Sequence, residues 1–501
     1  MNNKLRYSYF DSIPILFLLV LSILIAWSFR SNPFYIGNAL HDSSMFQYFG
    51  RLMTHGKIPY VDMFDHKGPL LFFINALGRL SFHGIRFLWP IEIFSIFITF
   101  LFSYLTNRFF LSRTYATLST ALVSVLYTVL LHGGNYSEEY ALPFISIAIF
   151  YLALFYIKED YHLFNLIILG ISGTCVFFLR ANMVIIWVIG CISILIYTLY
   201  RRNLKLLGKS IIGIFIGALV VILPILIYCL KTNSLYQMIY QSIIFNYLYV
   251  QHTPGIKFQD VTSFFAYILG QNGLLITLFF LPAMILFKKI NFKTFGKKYF
   301  LYMMCMFGWL NLLSILLSQR NYPHYLATEI PFIIFSIALL IALIQKYWHY
   351  KEISLVLLIL GTFIIVAFPA LKTTTDLIQK EQTPTLYSKN TSSVASFIKR
   401  HTRPSDPIYI HQADANIYNI AKRSSNSRFF TLPSVNLDKF PKLRAEFDAK
   451  LIKNKPKYIV VKNTFLAHSS DRKYETNLKN LIKYHYRLAF HNYYYAVYGI
   501  H

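Results

Sequence analysis

Residues 209–229 read KSIIGIFIGALVVILPILIYC, a run that contains no acidic residue and carries its single basic residue at the first position. About 20 mostly apolar residues are enough for a helix to cross the hydrocarbon core of a membrane. The run therefore predicts a transmembrane helix.

Similar runs recur through most of the 501 residues. Hydrophobic residues make up 56% of the chain and charged residues 14%, against roughly 25% charged residues in soluble proteins. The pattern predicts a polytopic α-helical membrane protein with about 11 transmembrane helices. The predicted spans are residues 13–29, 86–107, 114–131, 140–157, 162–179, 183–200, 209–229, 261–286, 299–318, 329–345 and 353–370.

The basic residues indicate how the chain is oriented in the membrane. Lys and Arg number 48 against 21 Asp and Glu, a formal net charge of +27. Many of these bases lie in short loops that become cytoplasmic when the N-terminus is placed inside, as the positive-inside rule requires. We therefore expect contact with membrane lipids and no nucleic-acid partner. The loop bases are Arg108, Arg113, Arg201, Arg202, Lys205, Lys209, Lys288, Lys289, Lys293, Lys297, Lys298, Lys346 and Lys351.

An odd number of spans places residues 371–501 on the outer side of the membrane. This part is polar, and its alternating pattern predicts a soluble extracytoplasmic α/β domain. An aromatic, amphipathic segment at residues 231–260 predicts an interfacial helix. In the tail, helices are predicted at 394–400, 417–422, 442–452 and 474–484, strands at 407–411, 428–432 and 458–462, and a hairpin at 488–498.

The first external loop, residues 30–85, holds acids, histidines and lysines beside the membrane. Ionisable groups are costly there unless they are paired or functional. From the residues alone, Asp42 is either the N-cap of a helix over residues 43–53 or a functional acid. The motifs are His41-Asp42-Ser43-Ser44, Gly56-Lys57-Ile58-Pro59-Tyr60 and Asp65-His66-Lys67-Gly68-Pro69-Leu70.

These motifs resemble the first external loop of membrane glycosyltransferases of the GT-C class. The likeness is to the protein O-mannosyltransferases and bacterial lipid A aminoarabinose transferases, the glycosyltransferase family 39-like branch. The sequence departs from that pattern at Ser43 and His66, where relatives often have acids, and at Gly68, where they have proline. Further matches are residues 133–143, residues 178–182 and Tyr322-Pro323-His324-Tyr325 with Pro331.

The resemblance implies a GT-C-like transmembrane domain over residues 1–370 and an extracytoplasmic domain over 371–501. It also implies an inverting sugar transfer from a polyprenyl-phosphate-linked donor at the outer face of the plasma membrane, with the active site between the first loop and the outer helix ends. The acceptor would be a glycan, a lipid or a protein hydroxyl. A transporter or flippase, or a polymerase or ligase, of lipid-linked glycans is the alternative, although the paired repeats of many transporters are not found.

The resemblance also implies roles for particular residues. Asp42 would be the general base that takes the acceptor proton. Glu138 and Glu139 would orient the acceptor or share its proton, or else they are helix N-terminal acids favoured by the macrodipole. Basic side chains would bind the donor phosphate, or else they extend from the span ends to the membrane interface. The phosphate candidates are Lys67, Arg180, Arg320 and His324, and the substrate-lining candidates are His41, His66, Tyr60 and Tyr325.

No cofactor is expected. His41, His55 and His66 show neither the helical spacing nor the cysteine partner of a zinc site, so a metal site is not predicted. The alternative is that the protein binds a divalent metal ion.

Overall fold

The computed structural model describes residues 12–32, 39–82, 85–251, 294–317, 322–347, 386–430 and 436–501, with a few isolated positions between 262 and 368. Helices dominate the described residues up to 347. They are α1 Ser12–Ser28, α2 His41–Thr54, α3 Pro69–Arg79, α4 Leu88–Asn107, α5 Arg113–Leu130, α6 Ser137–Ile157, α7 Leu163–Leu179, α8 Ile185–Tyr200, α9 Leu204–Lys231, α10 Leu235–Ile239, α11 Phe245–Gln251, α12 Phe295–Leu317 and α13 Ile330–Tyr347.

Nine of these helices coincide with predicted spans: α1, α4 to α9, α12 and α13. The interrupted region 162–200 contains two helices, as predicted, because the chain turns at Arg180 and in the short 3-10 helix Ala181–Met183. The predicted spans 261–286 and 353–370 lie outside the described residues, apart from isolated positions. Among the described helices, five are long and apolar enough to cross a membrane. The chain is a multi-pass membrane protein.

The chain divides into two compact units. The helical unit comprises Met1–Asn32, Trp89–Ile225 and Gly255–Thr375. The loop–sheet unit comprises Pro33–Leu88, Leu226–Pro254 and Asp376–His501. The loop after α1 and the polar tail therefore belong to the same unit, although the loop piece ends at Leu88 and the tail piece begins at Asp376.

Glycines allow two helices of the helical unit to pack closely. A Cβ atom at Gly170 of α7 would lie 2.1 Å from the carbonyl oxygen of Ile214 in α9. A Cβ atom at Gly217 of α9 would lie equally close to the carbonyl oxygen of Ile167. Small residues at such positions let helix backbones approach closely. Close packing matters in membranes because the hydrophobic effect contributes little to the association of helices there.

The tail forms a small α/β structure, as predicted. Strand β3 Ile408–Ile410 pairs in parallel with β4 Tyr458–Lys462, and β4 pairs antiparallel with the last strand. The predicted hairpin is present as strands β5 Tyr486–His491 and β6 Tyr495–Ile500, so the sheet order is β3-β4-β6-β5. The helices of the tail are α14 Leu386–His401, α15 Asn416–Ala421, α16 Pro441–Lys453 and α17 Lys473–His485. A separate hairpin of two short strands, β1 Ser81–Phe82 and β2 Ile85–Arg86, precedes α4.

One predicted strand of the tail is wrong. Residues 428–430 of the expected strand 428–432 are not in a strand, and residues 431 and 432 lie outside the described part. The backbone carbonyl of Arg428 instead accepts a hydrogen bond from the backbone N–H of Phe64 in the loop between α2 and α3. The sequence pattern could not show this partner, which is 364 residues away.

The core of the loop–sheet unit is built from distant pieces of the chain. Phe64 of the first loop packs against Phe245 of α11 and Phe429 of the tail, with ring centroids 5.2 and 5.0 Å apart. All three side chains are almost fully buried. The predicted helix in 231–260 is present over 235–251, with one π-helical turn at Tyr240–Ile244, and residues 252–260 lie outside the described part.

Candidate active site

Asp42 lies on the first turn of α2, beside His41. The two side chains are 38% and 55% exposed, and Asp42 Oδ1 lies 3.5 Å from His41 Nδ1. The hydrogen bond to Asp42 raises the pKa of His41 above its usual value, the negative charge of Asp414 adds to this, and the positive charge of Lys67 opposes it. The N-cap alternative for Asp42 is wrong, since the helix begins at His41 and Leu40 occupies the cap position. Asp42 therefore offers an accessible carboxylate.

Lys67 is held in an ion pair with a buried acid. Its Nζ lies 3.8 Å from Asp65 Oδ1, and the side chains are 12% and 0% exposed. The backbone N–H of Lys67 donates to the same oxygen at 2.8 Å, and Nζ lies over the ring of Phe46. The next residues begin α3, with Pro69 at its first position, where proline suits a helix start. The Lys-Gly-Pro motif thus places Lys67 just before the N-terminus of α3.

Tyr60 holds the turn of this loop in an unusual conformation. Its φ is 67°, a region that residues other than glycine rarely adopt. Its hydroxyl donates to the backbone carbonyl of Lys67 at 2.8 Å, and its own carbonyl accepts from Gln241 at 2.7 Å and from Arg428 at 3.1 Å. Burial raises the pKa of the phenol, as does the charge of Asp65. Tyr60 supports Lys67, and its ring is buried.

A hydrogen bond to its backbone carbonyl holds His66 in place. The carbonyl of His66 accepts a hydrogen bond from the side chain of Asn246 at 2.8 Å, and its imidazole Nδ1 is buried. Like Tyr60, it is placed by residues of the 226–254 segment rather than by its own loop alone.

The helical unit contains a second group of candidates. Arg180, at the end of α7, forms an ion pair with Glu138 on the first turn of α6, and its guanidinium lies 4.3 Å from the ring centroid of Tyr325. Ser137 donates to the other carboxylate oxygen of Glu138 at 2.8 Å. The pair lines a small polar cavity together with Asn182, Met183, Asn311, Ser314, Ile315, Tyr325 and Thr328.

His324 lies within an aromatic stack in the same unit. Its ring is nearly parallel to those of Tyr136 and Tyr322, with centroids 4.5 and 5.5 Å away, and Tyr325 meets it edge-on. The structure therefore places His324, Tyr325, Arg180 and Glu138 in one neighbourhood. Arg320 lies outside the described residues.

Glu139 does not line this cavity. Its side chain is fully buried and accepts a hydrogen bond from the backbone N–H of Tyr136 at 3.4 Å, which completes a capping box at the start of α6. This geometry agrees with the helix-terminal alternative for Glu139. Adjacent residues on a helix point about 100° apart, which explains why the two glutamates face different surroundings.

Two family models together match most of the chain. The family model of the competence-induced Ccs4 N-terminal domain matches residues 8–354, and that of the Ccs4 C-terminal domain matches residues 388–501. The chain belongs to the Ccs4 family. Among curated proteins, none matches the chain.

Solved structures show the fold of this Ccs4 family member. ArnT from Cupriavidus metallidurans bound to undecaprenyl phosphate has a TM-score of 0.64 at 12% identity, covering 97% of this chain and 98% of that one. AglB, the oligosaccharyltransferase of Archaeoglobus fulgidus, in complex with an inhibitory peptide and a dolichol-phosphate, has a TM-score of 0.51 at 13% identity, covering 96% and 73%. The GT-C fold expected from the sequence is therefore confirmed.

Several polar residues of the Ccs4 chain were missed by sequence reasoning. Glu92 of α4 is fully buried and accepts a hydrogen bond from Ser31 at 2.6 Å, and Asn311 donates to the buried Glu329 at 2.6 Å. The signal was present, because each carboxylate lies in an apolar span, where acids are rare and usually functional. Asp65 is a further such residue, because its ion pair with Lys67 is visible only in the structure.

No metal centre is evident in the parts of the chain that the structure describes. There, no group of three or more His, Cys, Asp or Glu side chains comes together in a way that could hold an ion.

We expect the Arg180→Ala variant of the helical unit to be strongly destabilised. It would leave the carboxylate of Glu138, which is 3% exposed, without its ion-pair partner, a change that costs about 3–5 kcal/mol in buried pairs. Adding Glu138→Gln should restore most of the loss. Thermal denaturation of the detergent-solubilised variants measures this, and equal stability of the single and double variants would contradict a buried pair.

Proposed function

We propose that this chain is a glycosyltransferase that takes a sugar from a polyprenyl-phosphate-linked donor and passes it to a hydroxyl group at the outer face of the plasma membrane. The observation that supports this most is an accessible carboxylate, Asp42, on the same loop as a lysine held in place, Lys67. The positive charge of Lys67 acts on His41, the neighbour of Asp42, so the acid and the cation share one electrostatic environment.

The likeness to ArnT and AglB supports the choice of donor. Those proteins were solved with undecaprenyl phosphate and a dolichol-phosphate, respectively, and both are polyprenyl phosphates. We propose the same class of lipid carrier for this chain. The acceptor class is a glycan, lipid or protein hydroxyl.

The reaction needs a base and a means to stabilise the leaving group. The acceptor oxygen would attack the anomeric carbon of the sugar as the bond from that carbon to the donor phosphate oxygen breaks. Asp42 would take the proton that the acceptor hydroxyl loses. The electron pair of the broken bond stays on the polyprenyl phosphate, and Lys67 would stabilise that negative charge. A single displacement inverts the anomeric configuration.

Arg180 and His324 are further candidates for phosphate contacts, and Glu138 for contacts with the acceptor. Arg180 is already paired with Glu138, so the cavity they line is close to neutral and rich in neutral hydrogen-bonding groups. We propose that this cavity holds polar groups of a substrate. The assignment to the donor or the acceptor follows from comparing donor affinity in two variants that each lose both charges of a pair, Arg180→Ala/Glu138→Gln and Asp65→Asn/Lys67→Gln.

Mass spectrometry of the lipids tests the proposal. Purified protein is incubated with lipids extracted from its native membrane and with candidate glycan and protein acceptors, and the polyprenyl-phosphate species are followed over time. A transferase converts a polyprenyl-phosphate sugar into polyprenyl phosphate, and the lost mass is the mass of the transferred sugar residue. A transporter or flippase leaves the lipid intact, and that result would refute the proposal.

The proposed orientation leads to a prediction. We expect Ser469→Cys, at an exposed site of the tail, to react with a membrane-impermeant thiol reagent in intact cells. Lys205→Cys, at an exposed site on the first turn of α9, should stay protected until the cells are opened. The wild-type chain, which has one exposed and three buried cysteines, measures the background labelling. The reverse pattern would show that the tail is cytoplasmic.

A further inference from the structure

The C-terminal domain contacts the chain on both sides of Asp42. The side-chain amide of Asn416 donates to the carbonyl of Ala39 at 2.8 Å, and that of Asn419 donates to the carbonyl of Ser44 at 2.9 Å. The hydroxyl of Ser44 lies 3.2 Å from Asp414 Oδ1 and 2.8 Å from the carbonyl oxygen of His41, so its single proton is shared between these two acceptors. Three side chains within six residues of the tail thus hold the segment 39–44, which contains Asp42.

These three tail residues are themselves held in place. Asp414 is almost fully buried, and its carboxylate also accepts from the backbone N–H of Asn416 at 2.9 Å and from the hydroxyl of Tyr387 at 2.9 Å. Asn416 and Asn419 lie on α15, so their spacing is fixed by the helix. The donors therefore reach the loop from a rigid support.

The contact continues along α2. Tyr48 stacks on Tyr418 of α15 with ring centroids 4.6 Å apart, and its hydroxyl accepts from the backbone N–H of Ser425 at 2.9 Å. Arg51, near the end of α2, donates to the carbonyl of Arg423. The helix that carries Asp42 is thus fastened to the tail from its first turn to its last.

We infer that the segment Asp414 to Asn419 is a positioning element for Asp42, and that this is a function of the C-terminal domain. The inference rests on the proposed function, in which Asp42 is the base. A base must be held within hydrogen-bond reach of the proton that it removes, and small displacements of catalytic groups are costly. Asp414, Asn416 and Asn419 act through the loop and need not touch the substrate.

The double variant Asn416→Ala/Asn419→Ala tests the inference, because it removes both amide donors to the loop. We expect kcat to fall roughly 10- to 100-fold, as for a misplaced catalytic group. We expect the donor KM to change less than about twofold, because a loss confined to the transition state does not weaken donor binding. Hydrogen–deuterium exchange of residues 39–48 should become faster, and this second readout does not depend on activity.

A matched control is available in the same domain. The side-chain amide of Asn463 likewise donates to backbone carbonyls, those of Asn492 and Tyr493, but these lie in the turn between β5 and β6. Asn463→Ala should leave both kcat and the exchange of residues 39–48 unchanged. Ser44→Ala removes the hydroxyl shared between Asp414 and the carbonyl of His41, leaves the tail sequence intact and provides a second test if the double variant misfolds.

The outcomes separate this inference from the proposed function. Unchanged exchange of residues 39–48 in the double variant and in Ser44→Ala would overturn the positioning role. Faster exchange with unchanged kcat would also overturn it, since the loop would be held without consequence for catalysis. If the wild-type protein consumes no donor, the proposed function fails, and with it the catalytic part of the inference, while the exchange data still decide whether the tail holds the loop.

Discussion

The Asp42→Asn variant should lose sugar transfer while it stays folded and still binds the donor. Removing a general base typically costs about 10²- to 10⁴-fold in rate. The side chain is 38% exposed, so the substitution should change stability by no more than about 0.5 kcal/mol. The rate is measured as consumption of polyprenyl-phosphate sugar, and donor binding is measured on the same preparation by native mass spectrometry.

A second aspartate of the same loop serves as the control. Asp62 accepts a hydrogen bond from the backbone N–H of Ile58 at 2.8 Å and pairs with Lys57 at 3.7 Å, so its role is explained by the loop structure. Asp62→Asn should transfer sugar at close to the wild-type rate. Retained turnover in Asp42→Asn would remove Asp42 as the base, whatever the control does.

Lys67→Ala should weaken donor binding about 10- to 100-fold, because a hydrogen bond to a charged group contributes roughly 1.5–3 kcal/mol. The same change also leaves Asp65, whose side chain is fully buried, without its ion-pair partner. Such an unpaired charge costs stability, so the single variant alone cannot separate the two roles of the lysine.

The double variant Asp65→Asn/Lys67→Gln separates them, because it removes both charges together. If Lys67 only neutralises Asp65, the double variant recovers stability and donor binding. If Lys67 binds the donor phosphate, the double variant recovers stability but still binds the donor weakly, and this is the expected result. Lys57→Ala, which removes an exposed lysine of the same loop, should bind the donor normally.

The membrane spans could be predicted because they depend on local composition. An apolar run of bilayer length forms a helix in any membrane protein, since its backbone polar groups have no other partner in lipid. The helices near residues 13–29 and 209–229 follow this rule. The two helices of the 162–200 region were also predictable, because Arg180 interrupts the apolar run.

The candidate site could be predicted only in part, because its contacts join distant residues. Asp42 and Lys67 were found from motifs on one loop. The bond from Asn416 to Ala39 spans 377 residues, and the pair of Arg180 with Glu138 spans 42. No periodicity in the sequence encodes such a partner. The wrong strand at residues 428–432 has the same cause, because Arg428 pairs with the first loop.

The most direct measurement of the central claim is a mass balance on the wild-type protein with a donor that carries an isotope-labelled sugar. We expect one polyprenyl phosphate and one labelled acceptor for each donor consumed, with no label released as free sugar. Donor that stays intact, or label that appears only as free sugar, would contradict a glycosyltransferase.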